Sequence, residues 1–348
     1  MPNSSGYIKN NINKFAMFYR LIDVAVIYLS LILAACLYDV TFSKDLNSLA
    51  LISIIGFSFF AEMFALPTDP ESYIIDALNS ANKNQDVLDA ISKPWEAKPW
   101  YQYHPIFLTE KRIIKGAEFW QKHQATLEKA EQKYGVPAQI IVSILAVESF
   151  FGQYKGKYPV LDSLYTLGFH YPRRSKFFLS ELGHFLHLSY QQQFELTTVL
   201  GSYAGAMGWS QFISSSYRHY AVDFDNDGKK DLINSPADAI GSVANYFKQH
   251  KWQKNESVVV KAKVNTQPKQ SLFTKSLKPK TPLKVLLSNG IEAEAELNLQ
   301  QKVKLLSFEL ETGQEYWLGL HNFYVITRYN HSHLYAMAVY QLSEALRQ

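Results

Sequence analysis

The spacing of apolar and polar positions divides the chain into distinct textures. Two dense apolar stretches come first, at 24–38 and at 49–60, the second continuing past Glu62 to Leu66. Each is nearer the length of a signal-peptide core than of a full membrane span. Pro67-Thr68-Asp69-Pro70 then breaks the pattern. Over 71–135 apolar positions recur with helical period, interrupted at 94–105, and 136–252 is again mostly helical. Between 258 and 308 the texture shifts to short β-type runs: Val258-Val259-Val260, Val264, Lys284-Val285-Leu286-Leu287 and Lys302-Val303-Lys304-Leu305-Leu306. Helical character returns after the aromatic stretch 316–335 and closes the chain over 335–346. These textures predict an α+β, mainly α, fold: a leader over 1–66, a helical domain over 67–135, a core over 136–252, a small β-rich insertion over 253–313, and a segment over 314–348 that returns to the core.

The leader carries two export signals. Lys9, Lys14 and Arg20 precede the first apolar stretch, which ends in Leu33-Ala34-Ala35-Cys36, similar to the lipobox at which a bacterial lipoprotein receives its lipid. The second follows Lys44 and ends near Ala61 to Ala65, a cleavage region for ordinary secretion. The two do not operate together. Cleavage near Ala65 is favoured, with a lipid on Cys36, a translation start further downstream, and a buried helical hairpin as alternatives.

Composition narrows the function. With 47% hydrophobic and 19% charged residues the chain has the balance of a folded protein. Its 22 Tyr and 22 Phe exceed ordinary usage; most fill a core, but tyrosine-rich clefts also suit sugars, whose rings present apolar faces and many hydroxyls. The net charge of +4 is mild, and the basic cluster 275–284 is too short for a nucleic-acid surface, so no nucleic-acid partner is expected. The single cysteine excludes an intrachain disulfide and a cysteine-based metal site.

Three segments carry chemistry. Gly135-Val136-Pro137 opens a helix with Pro137 in its first turn, and Ile140, Ile141, Ile144 and Leu145 define an apolar face that includes Glu148. Burial there raises a carboxyl's pKa and keeps its proton available for donation. The alternative is a capping glutamate near the helix end. The segment 201–212 is rich in small residues that let backbone approach a ligand, with Ser202 and Gln211 as hydrogen-bonding groups for a sugar or for Glu148; tight helix packing is the competing reading. Asp223-Phe224-Asp225-Asn226-Asp227-Gly228 fits the opening of an EF-hand calcium loop, with Lys229 supplying its backbone carbonyl. Asn234 stands where the closing Glu belongs, so Asp238 and a longer loop are implied, against a solvated acidic turn. The pairs His184/His187 and His331/His333 lack a third ligand at a recognisable spacing, so zinc is not expected. Arg173 and Arg174 are expected either to contact carboxylates of a ligand or to form a structural ion pair.

Taken together, Ala146-Val147-Glu148-Ser149 with Gly152, Leu161-Asp162-Ser163-Leu164, Tyr171-Pro172-Arg173-Arg174, Gly205-Ala206-Met207-Gly208 with Gln211-Phe212, residues 239–247, and Thr327-Arg328-Tyr329-Asn330-His331-Ser332 with 335–338 resemble the membrane-bound lytic murein transglycosylase B family. The resemblance covers roughly Tyr101 to the end and is weakest through the β-rich insertion. It implies a lysozyme-like catalytic core with a helical flanking domain and a small β domain, Glu148 as acid/base, and Tyr103, Ser202, Gln211, Tyr246, Tyr329, Asn330 and Tyr335 around the glycan. It also implies a structural calcium in a lengthened loop closed by an Asp and peptidoglycan glycan strands as substrate, while leader and tether lie outside what it supports. Because murein is in the periplasm, residues from Pro67 onward are expected there, as a monomer, with cell-wall synthesis proteins as further candidate partners. No second acid pairs with Glu148 by sequence; Asp162 is a candidate whose setting reads as helix packing. The expected reaction is non-hydrolytic cleavage with a 1,6-anhydro product. A hydrolytic muramidase and a non-catalytic, calcium-dependent peptidoglycan-binding protein are the alternatives.

Overall fold

A computed structural model describes residues 70–92 and 98–347. Cys36, both apolar stretches and part of the 94–105 interruption lie outside the described residues. The chain divides into two compact units, Met1–Ser80 and Ala81–Gln348. Of the first, helix α1 (Pro70–Ser80) is described. All that follows concerns the second.

Helix α2 (Gln85–Ile91) starts where the Asn84 side chain accepts the Val87 N–H. A short helix α3 (Trp100–Tyr103) stands inside the expected interruption, anchored by the buried Trp100. Helix α4 (Glu110–Lys122) is capped by Thr109, and α5 (Gln124–Tyr134) ends at Gly135. Next comes α6 (Ala138–Ser149). Pro137 is its N-cap rather than a first-turn residue, and the Glu131 carboxylate accepts the Ala138 N–H at 3.0 Å. In place of one apolar face, every residue from Ile140 to Ala146 is buried, because helices close around α6 on several sides.

The chain continues through α7 (Val160–His170) and α8 (Ser175–Gln192), with the two-residue ribbon β1 (Tyr158–Pro159) and β2 (Leu200–Gly201). Helices α9 (Ser214–Tyr220) and α10 (Pro236–Gln249) follow. The β-rich part is a five-stranded antiparallel sheet of β3 (Val259–Val264), β4 (Thr281–Pro282), β5 (Ile291–Ala293), β6 (Lys302–Glu309) and β7 (Gln314–Gly319), ordered β4-β6-β7-β3-β5. Val260, Leu286, Ile291, Val303, Leu305 and Leu318 form its core. Two expectations change here. The run from Lys284 is a short helix, α11 (Leu283–Leu287), because Leu283 and Leu286 are buried at helical spacing while Lys284 and Val285 are exposed. The sheet also runs past residue 313, since Leu318 and Trp317 of β7 pair with Leu305 and Leu306. Helical structure consequently resumes at α12 (His321–Tyr329), earlier than expected, before α13 (His333–Leu346), which packs along α6.

Candidate active site

Glu148 lies half-buried on the last turn of α6. The chain leaves that helix through three consecutive left-handed residues, Phe150, Phe151 and Gly152, with φ of 49°, 59° and 77°. Two phenylalanines in this region are strained and persist only when neighbours over-determine them. Ser149 Oγ donates to the Trp209 carbonyl at 2.7 Å and accepts the Gly152 N–H at 2.9 Å. Arg112 reaches in from α4, with Nε on the Ala146 carbonyl at 3.3 Å and Nη1 on the Ile106 and Phe107 carbonyls at 2.6 and 2.9 Å. Its guanidinium stacks over Phe150, 5.2 Å from the ring centre. Arg112, which no sequence motif singled out, thereby ties the end of α6 to the turn after α3.

Tyr335 on α13 donates its hydroxyl to Glu148 Oε1 at 2.5 Å. Burial pushes the Glu148 carboxyl up to about 7, with the bond from Tyr335 acting in the opposite direction. No other carboxylate contributes to that shift. Tyr246 and Tyr329 lie within electrostatic reach of Glu148, and burial raises both phenols. Their hydroxyls donate to backbone carbonyls, Tyr246 to Arg328 and Tyr329 to Ser210. Their rings stand 4.8 Å apart, with Phe212 against both. Tyr103, packed between Trp100 and Phe107, reaches Tyr335 electrostatically. Three tyrosines from α10, α12 and α13 thus converge on one carboxyl, with Tyr103 of α3 behind Tyr335.

The remaining residues of the expected set hold the loop itself. Ser202 Oγ accepts the Ala204 and Ala206 N–H groups at 3.3 and 3.1 Å, which leaves its own proton to donate. Gln211, at φ 48°, donates to the Lys155 and Gly208 carbonyls. Asn330 follows α12, and its carbonyl accepts the Ser332 N–H. The small-residue segment does bring backbones together: a Cβ on Gly156 would stand 1.9 Å from the Gly201 carbonyl carbon. Asp162 accepts the Asn82 N–H at 2.8 Å and so secures the segment before α2. Arg174 stacks over Phe177.

In the acidic loop, carboxylate oxygens of Asp223, Asp225 and Asp227 lie within 4.8 Å of one another. Asp223 accepts the Asp227 and Gly228 N–H groups, and Gly228 takes φ 91° with open space around it. Lys229 donates its N–H to Asp227, and Ser235 Oγ donates to Asp225 at 2.9 Å. Asp238 is outside that trio but within electrostatic reach of Asp225. It is fully buried, and its two oxygens accept the Phe224 and Asp231 N–H groups at 2.7 Å each. Its carboxylate clamps the two ends of the loop, a task the sequence reading did not give it.

A helix-end carboxyl raised toward neutrality and bonded to a buried phenol is the kind of group general acid–base chemistry requires. Residues 61–344 match the family described as Transglycosylase SLT domain, and the chain belongs to that family. It is 44% identical over 247 residues to membrane-bound lytic murein transglycosylase B of Escherichia coli K12, spanning 71% of this chain and 67% of that one. The soluble lytic transglycosylase SltB1 of Pseudomonas aeruginosa superposes with a TM-score of 0.77 at 47% identity, covering 83% of this chain and 97% of that one. Escherichia coli Slt35 in complex with calcium gives 0.73 at 42% identity, covering 78% and 86%. Pseudomonas aeruginosa SltB3 in complex with NAG-anhNAM-pentapeptide gives 0.72 at 30% identity, covering 83% and 78%. The fold is the lysozyme-like α+β fold, mainly α, of these lytic transglycosylases.

Proposed function

We propose that this enzyme is a peptidoglycan lytic transglycosylase in which Glu148 is the single acid/base. The observation that carries the reading is the Glu148 carboxyl itself, raised to about 7 by burial, bonded to Tyr335, and uninfluenced by a second carboxylate. Paired-carboxylate glycosidases place two acids on either side of the bond. A lone one must serve twice. Protonated Glu148 donates to the glycosidic oxygen between N-acetylmuramic acid and N-acetylglucosamine as that bond to C1 breaks. The resulting carboxylate then takes the proton of the muramyl C6 hydroxyl, whose oxygen closes onto C1. The product is a 1,6-anhydro sugar, water is not consumed, and Glu148 ends protonated as it began. The substrate's acetamido group stabilises the cationic intermediate. Tyr103, Tyr246, Tyr329 and Tyr335 form the wall, and Ser202, Gln211 and Asn330 supply polar contacts to the glycan.

Asp223, Asp225 and Asp227 hold a structural calcium, with the Lys229 carbonyl as a further ligand; Asp238 completes the loop as its clamp. The calcium complex of Slt35 supports this reading. The enzyme acts in the periplasm, where murein is. Among the described residues no helix is long and apolar enough to cross a membrane. Sequencing the mature N-terminus decides between cleavage near Ala65 and an acylated Cys36.

Digestion of purified sacculi followed by mass analysis tests the activity. Anhydro muropeptides are lighter than hydrolysed ones by one water and have no reducing end. Reducing ends instead would identify a hydrolytic muramidase, and bound murein without soluble fragments would identify a binding protein.

A further inference from the structure

A cavity of about 450 Å³, lined by β6, residues 267–277 and His333, plays no part in the chemistry above. Strand β4 pairs with β6 only at Val303 and Lys302. From Lys304 onward the outer edge of β6 faces residues 267–277, and the cavity lies between them. An open sheet edge offers backbone N–H and C=O groups to an extended peptide. Lys304 is 8% exposed and lines this cavity. It donates to the Thr274 carbonyl at 2.7 Å, whereas an ammonium has three donors. Among the described residues the ion pairs are Lys115–Glu118 and Arg347–Glu344, so no carboxylate balances Lys304. A buried cation without a counter-charge is costly, and burial accordingly holds Lys304 below its ordinary pKa. Gln270, Gln314, Tyr316 and His333 add polar walls, with the exposed Lys275 at the margin. His333 precedes Tyr335 by two residues, and its ring meets Phe308, which packs on Trp100 beside Tyr103.

We propose that this cavity holds a carboxylate of the peptide stem carried by the glycan, with the Lys304 ammonium as its counter-charge and the β6 edge alongside the stem. The assignment rests on the peptidoglycan reading above and deepens it: the enzyme selects stem-bearing muramyl residues, not bare glycan.

The test compares glycan strands bearing stems, strands stripped of stems by an amidase, and strands whose stem carboxyls are amidated. The wild-type KM should be about tenfold lower on intact stems than on the other two, a factor worth about 1.4 kcal/mol. Lys304→Met should raise KM on intact stems to the stripped value, with kcat and stripped-strand kinetics unchanged, and Lys304→Arg should restore the preference. Lys275→Glu, on the exposed margin, should shift KM the same way by a few-fold should Lys304→Met fold poorly. Equal wild-type KM on all three strands overturns the proposal, as does a preference that survives in Lys304→Met. A melting temperature raised by acetate or phosphate alone, with no stem dependence, identifies a small-anion site and also overturns it. Binding of the same strands to Glu148→Gln protein reads the cavity apart from turnover. Stem-dependent binding without cleavage by the wild type would then count against the enzymatic reading alone.

Discussion

Two groups of carboxylates in this protein are built on opposite principles. Glu148 is solitary, half-buried among phenol rings, and bonded to one of them. The acids of residues 223–238 are crowded, and Asp225 and Asp227 are exposed, with backbone N–H groups satisfying the crowd from within. The first environment penalises charge and so holds a proton near neutrality. In the second, burial also pushes Asp238 up, the N–H groups of Phe224 and Asp231 oppose that push, and Asp225 and Asp227 face solvent. The same functional group is thus held solitary beside a phenol in one place and tied into backbone N–H groups in the other, and the surroundings alone decide which.

Removing the proton donor is the most direct way to break this contrast. Glu148→Gln keeps the shape but cannot cycle a proton, and murein release should fall by two decades or more with an unchanged circular dichroism spectrum. Activity of the wild type should decline as pH rises through about 7, because the donor form is then lost. Tyr335→Phe removes the one bond that lowers the Glu148 pKa, so the declining limb should move to higher pH and kcat should drop by about tenfold. A limb left in place would separate Tyr335 from the carboxyl's titration.

The acidic loop sharpens the contrast from the other side. Asp238→Ala strands two buried N–H groups and should cost about 2–5 kcal/mol of stability with or without calcium. Asp225→Ala should spare the apo fold yet abolish a rise in melting temperature on adding calcium, with magnesium giving less than calcium in the wild type. A melting curve indifferent to calcium and chelator would leave the loop an internally bonded turn.

The smallest effect is a linkage. The folded pKa of Glu148 lies above its unfolded value, so its stabilising contribution is complete below about 4.5 and is lost as pH rises through about 7. Glu148→Gln should therefore melt progressively higher than the wild type across that window, by at most about 3 kcal/mol at its upper end.

The parts of the site that are local in sequence were legible there. The position of Glu148 on an apolar helix and the alternate Asp residues before Gly228 can be read from sequence because both signals are complete within one turn or loop. Arg112 acts on the Ala146 carbonyl from 34 residues away, and Trp209 on Ser149 from 60. No spacing rule spans such distances. The inner roles of Ser202, Gln211 and Asp238 stayed hidden for a related reason: side chains suited to a ligand are equally suited to stray N–H groups, and only the folded backbone says which are nearby. Lys284-Val285-Leu286-Leu287 fits either period over four residues, and the burial of Leu283 and Leu286 against the sheet makes it a helix.

The crossing of Gly156 over Gly201 has a consequence for how such an enzyme diversifies. Any side chain at Gly156 would collide with backbone, not with a movable neighbour, and the adjacent Lys155 carbonyl holds Gln211. Stepwise side-chain replacement at Gly156 is thus barred unless the Gly201 backbone moves with it. Segments that do not touch the crossing, such as 267–277, are free of this particular constraint.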